Sequence, residues 1–162
     1  MRLFLRVVKQ RRWIKQPDED WLEDGELKGD ALSDLNAQNG RLSVYTVSGE
    51  ADRQRVAVAL AATRRSFSNI DYMVFSGSDL RRFGITVQQT PGRTPDSEVN
   101  GLHYELGQLT VDRLARLATI ISVGMPKRIL EKRVKVLLRE AASSGRLKAD
   151  AVSLEMRERL GL

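Results

Sequence analysis

Between Leu42 and Gln89 the hydrophobic period changes from two to that of a helix and back, which restricts the fold more than any other stretch. Leu42–Val47 (Leu-Ser-Val-Tyr-Thr-Val) alternates and is rich in β-formers, so it reads as a strand. Ser48-Gly49 breaks it, and the following pattern predicts a helix over Glu50–Arg65. Glu50 and Asp52 fall in its first turn and Arg64 and Arg65 in its last, a polarity that suits the helix dipole. Val56-Ala57-Val58-Ala59-Leu60-Ala61-Ala62 is apolar nearly all round, so the helix is expected to pack deeply, with Val56 and Leu60 in the core. Ile70–Phe75 reads as a second strand. Strand, long helix and strand with short links form the βαβ pattern, which predicts a parallel pair joined by a right-handed crossover. A short helix near Asp79–Phe83, stopped by Gly84, leads to a third candidate strand at Ile85–Gln89. The expected fold is therefore α/β: a small, mostly parallel sheet containing a βαβ unit, with flanking helices and a C-terminal helical segment.

The flanking sequence fills in that plan. Residues 2–8 read as a strand with apolar groups on both faces, as a strand covered on two sides would have. Residues 11–39 are polar and punctuated by Pro17, Gly25 and Gly29, with a short helix expected near Asp30–Ala37. Trp13 and Trp21 are expected to pin this region to the body, because an indole is too large to leave fully wet. Gln88–Gly101 reads as a loop. Thr110 suits a helix N-cap, and Leu114, Leu117, Ala118 and Ile121 then form an apolar face. Gly124-Met125-Pro126 ends that helix and opens another, over Lys127–Ala142, and a last helix is expected over Leu147–Leu160. The expected organisation is an α/β core over 1–109 with a helical segment, 110–162, packed on it.

A chain of 162 residues, 41% hydrophobic and 30% charged, has the composition of a globular domain and can bury a core unaided. It has no cysteine, which excludes disulfides, thiolate catalysis and cysteine-ligated metals. The N-terminal residues lack the pattern of a signal peptide, and nowhere do eighteen apolar residues run together, so a cytoplasmic protein that does not enter a membrane is expected. Residues 1–48 carry eight basic and eight acidic side chains, and residues 49–109 carry seven of each. Residues 110–162 carry twelve basic against six acidic, so the last third supplies the whole net charge of +6. A localised excess points to a directed surface.

Read as one helix, Lys127–Ala142 places Arg128, Lys132, Lys135 and Arg139 on a single stripe at i, i+4, i+7 and i+11. Arg146 and Lys148 add charge at the same end. A stripe of this kind is either a solvated face or a binding surface for nucleic-acid phosphates or for an acidic protein, including a neighbour in a larger assembly or a second copy. The expected function is accordingly a non-enzymatic binding or adaptor protein, with no cofactor and no metal.

The alternative is an enzyme or nucleotide-responsive domain with a ligand at the carboxyl ends of parallel strands. Its candidate residues are Ser48, Ser76, Ser78, Asp79 and Arg93, with His103, the one histidine of the chain, nearby. Against it, Glu50, Asp52 and Asp79 would repel an anion there, and neither a Walker pattern nor G-x-G-x-x-G is present. His103 is read as a hydrogen-bonded structural residue. The acidic run from Asp18 to Glu26 has no EF-hand spacing and is read as a solvated loop. The path of the Gln88–Gly101 loop separates the alternatives: folded over Ser76–Asp79 so that Arg93 and His103 share one pocket it favours the enzyme class, and packed flat it favours the binding class.

Overall fold

Leu3–Val8 (β1) is the strand about which the sheet is built. In the computed structural model, which describes residues 2–20, 22–23, 26–36, 39–148, 150 and 152–161, β1 lies between Leu42–Val47 (β2) and Ile70–Ser76 (β3) and runs antiparallel to both. Leu3 is opposite Val47 on one side and Ser76 on the other. Three further strands, Thr86–Gln89 (β4), His103–Gly107 (β5) and Lys127–Ile129 (β6), complete a six-stranded sheet in the order β4-β5-β2-β1-β3-β6, antiparallel throughout.

The expected parallel sheet is therefore overturned. The helix Glu50–Ala61 (α2) does cross from β2 to β3, and those strands do point the same way, but the crossover skips one strand position and β1 fills it. The unit is a split βαβ. Its strands read as apolar runs because both faces of the sheet are covered, and two-sided burial imitates the sequence of a parallel sheet. On one face Leu5, Tyr45, Ile70 and Tyr72 pack against Val56 and Ala59 of α2, Leu138 of α6 (Glu131–Ser143) and Met156 of α7 (Leu154–Leu160). On the other, Phe4, Val44, Phe75 and Leu106 pack against Leu80 of α3 (Gly77–Arg82), Leu117 and Ile121 of α5 (Val111–Gly124), and Leu35 of a 3-10 turn (Ala31–Leu35). Residues beyond 110 thus complete both cores and add an edge strand.

Several boundaries move for local reasons. Helix α2 ends at Ala61, so Arg64 lies past its last turn and donates to Ser68 Oγ and the Asn69 carbonyl instead. Val56 is fully buried, but Leu60 is only half buried. Residues 103–107 form a strand the sequence reading omits, and among the described residues of the expected last helix the α-helix is Leu154–Leu160. Pro126 precedes a strand and not a helix: Lys127–Ile129 pairs with β3, and α6 starts only at Glu131. Thr110 does cap α5, its hydroxyl accepting from the Arg113 amide.

Two buried acids tie the N-terminal segment down. Asp34 accepts from the Lys9 amide at 2.7 Å and from Trp13 Nε1 and Arg12 Nη1, each at 2.8 Å. Asp71 accepts from the Gln10 amide at 2.8 Å, at the start of the short helix Gln10–Trp13 (α1). Trp13 is buried as expected, while Trp21 lies outside the described residues. No helix among the described residues is long and apolar enough to cross a membrane.

Candidate functional site

The cationic stripe divides when the helix shortens. Arg128 sits on β6, where its Nε and Nη2 donate to Asp71 Oδ1 and Oδ2 at 2.6 and 3.0 Å. Lys135 is bound to Glu131 at 2.6 Å and lies 5.0 Å over the Phe67 ring. Both charges are therefore already paired within the chain. Lys132, Arg133 and Arg139 stay exposed on α6 and have no acidic partner among the described residues. At 100° per residue Lys132, Val136 and Arg139 share one narrow stripe, with Arg133 and Glu140 on its flank. Val134, Leu137, Leu138 and Ala141 lie on the opposite, buried side. Beyond α6, Arg146 donates to Ser144 Oγ at 3.1 Å, and Lys148 hangs its backbone on the Pro95 carbonyl while its side chain is exposed. Val136 keeps 42% of its surface.

The strand ends do not form one site. Ser76, Ser78 and Asp79 close on one another at the start of α3: the Ser76 hydroxyl accepts from the Asp79 amide and donates to the Asp79 carboxylate at 2.8 Å. Ser48 donates its amide to Asp52 Oδ2 at 2.8 Å. The acids that would repel an anion thus also occupy the groups that would bind one. Arg93 and His103 lie elsewhere, on the lining of one cleft of about 680 Å³. In the acidic loop, Glu19 pairs with Lys28 at 2.6 Å, and that ammonium holds the carboxyl below its ordinary value.

The floor of the cleft is the α2-side face of β2 and β5, where Ser43, Tyr45, His103 and Glu105 stand in register. Leu60 of α2 and Thr63, in the turn just past it, form one wall, and the loop Thr90–Thr94 forms the other. That loop is fixed at several points. Thr94 gives its amide and its hydroxyl to Asn100 Oδ1 at 2.6 and 2.8 Å, and Asn100 Nδ2 returns a bond to the Thr94 carbonyl at 3.0 Å. Gly92 donates to the Asn100 carbonyl at 3.0 Å. A Cβ at Gly92 would come within 2.9 Å of the Asn100 Cα, so the approach needs glycine. Asp96 caps the short helix Ser97–Asn100 (α4) and is gripped by Arg55 of α2 through two bonds of 2.8 and 3.0 Å, while Arg55 also contacts Glu98. Burial alone would raise the Asp96 pKa; the bonds from Arg55 and from the Val99 and Glu98 amides outweigh it and hold the carboxyl below its usual range.

Within the cleft, burial pushes the Tyr45 phenol above its ordinary value, so it is neutral at physiological pH. Arg41 holds Glu105 at 2.9 Å. Tyr45, Arg55, Asp96 and Asn100 were not candidates from sequence. Asp96 before Ser-Glu-Val-Asn carried the one local signal, an N-cap residue ahead of a helical turn. No protein-family model, no curated protein and no solved structure matches the chain.

Proposed function

We propose that this chain is a non-enzymatic binding protein whose α6 face engages an acidic protein surface. One observation carries the reading: Lys132, Arg133, Arg139, Arg146 and Lys148 have no acidic partner among the described residues, while Arg128 and Lys135, nearby, are paired. Exposed Val136 between Lys132 and Arg139 favours a protein over a nucleic acid. A phosphate backbone gains nothing from an aliphatic contact, whereas protein interfaces combine apolar centres with arginine. Charge complementarity would set the encounter rate and the orientation.

The test is affinity purification from the native cell, with and without nuclease, of the wild type and of the quadruple variant K132Q/R133Q/R139Q/R146Q. Glutamine keeps helix propensity, so the fold is expected to persist. An acidic protein should be recovered after nuclease by the wild type and reduced about tenfold or more with the variant, the loss of about 1.4 kcal/mol or more of charge pairing. Recovery abolished by nuclease would instead indicate nucleic acid, with a salt slope of about 0.9 per phosphate contact. Equal recovery by both proteins would contradict the proposal.

A further inference from the structure

We infer that the cleft between α2 and the Thr90–Thr94 loop binds a small organic phosphate, with its anionic end at Arg93 and a hydrogen-bond donor at His103. The inference is independent of the α6 reading and rests on other residues.

The state of His103 follows from its neighbours. Nδ1 lies 3.1 Å from the Thr90 carbonyl and 2.9 Å from the Thr90 hydroxyl. A carbonyl oxygen can only accept, so Nδ1 carries the proton, and in the neutral ring Nε2 is left with a lone pair. The ring is 8% exposed and packs edge-on against Tyr45 at 5.1 Å. No polar atom of the described residues meets Nε2, yet the ring lines the cleft. Nε2 is open to the cleft and not enclosed by protein, so a ligand O–H or N–H can bond to it there.

The remaining lining narrows the ligand. Arg93 is exposed at the cleft and has no acidic partner among the described residues, so it is free to meet an anion. Thr63 already donates its hydroxyl to the Leu60 carbonyl and Thr94 to Asn100, but both oxygens can still accept, so with Ser43 they suit the O–H groups of a hydroxylated body. Pro91 and Leu60 add apolar wall. The volume lies within the range of small-molecule sites. The bonds to Asn100 and Arg55 hold the loop in place, so little ordering cost would accompany binding.

Because His103 is the single histidine, its imidazole ¹⁵N signals can be assigned without ambiguity. The probes are ribose 5-phosphate, adenosine 5'-monophosphate and inorganic phosphate, titrated to about 10 mM, well above the Kd of a weak specific complex. The free protein is expected to show the Nδ1-protonated tautomer, and one of the two organic phosphates should shift the Nε2 signal saturably. Calorimetry should then show that affinity falls about tenfold or more in Arg93→Gln and in His103→Asn. Asparagine retains a donor for the Thr90 carbonyl but has nothing at the Nε2 position. His103→Gln, whose side-chain carbonyl reaches that position, should bind within about threefold of wild type. The inference is overturned by the opposite tautomer in the free protein or by no saturable shift with either organic phosphate. Inorganic phosphate binding as tightly as the organic ligands would overturn it too, as would affinity unchanged in both weakening variants.

Discussion

Asp96 caps α4 and grips Arg55 with the same carboxylate, so one side chain joins the cleft loop to α2. Asparagine caps a helix about as well as aspartate, so Asp96→Asn removes only the charged grip on Arg55. It is expected to lower unfolding free energy by about 1–3 kcal/mol at pH 7, measured by urea denaturation. The pH dependence has a definite sign. The folded carboxyl titrates below its unfolded value of about 3.9, so its contribution is complete at neutral pH and is lost as pH falls through the folded value. The difference between wild type and Asp96→Asn should shrink as pH falls below the unfolded value of about 3.9. A variant within about 0.5 kcal/mol of wild type at pH 7 would show that the loop is not held this way.

At the scale of elements, Arg128 marks how a local pattern misleads. Lys127-Arg128-Ile129-Leu130 consists of residues that helices accept readily, and its charge spacing continues that of α6. The deciding partner, Asp71, is 57 residues away in sequence, so no periodicity could reveal it. Arg128→Gln should cost about 1–3 kcal/mol, because Asp71 would keep only the Gln10 amide, whereas Lys132→Gln should stay within about 0.5 kcal/mol. Chemical denaturation of both variants checks this, and equal effects would place the two cations in equivalent surroundings. β5 escaped notice for a different reason. His-Tyr-Glu-Leu-Gly is short, and its cleft-side positions are polar, which hides the alternation. By contrast β2, α2, β3 and the Thr110 cap were legible, because each is set by residues adjacent in sequence.

For the whole molecule, strand order is the property that local reading could not reach. β1 is inserted between the ends of a βαβ unit, and its two-sided apolar pattern shows that it is central without naming its neighbours. The candidate sites followed the same division. Arg93 and His103 were visible singly, but their union depends on the Arg55–Asp96 clasp and the Asn100 bonds, which exist only once the loop has folded back. The two proposed surfaces are separate: an open cleft for a small organic phosphate, and an outer helix for a larger acidic partner. The outer helix is the central claim, and site-specific photo-crosslinking inside the cell tests it most directly. A photoreactive residue replaces Val136 on α6 or, as control, exposed Ala115 on α5, across the sheet. The expected result is a crosslink from position 136 to an acidic protein, suppressed by K132Q/R139Q, with no matching product from position 115. The contradicting result is no crosslink from 136, or the same product from both positions.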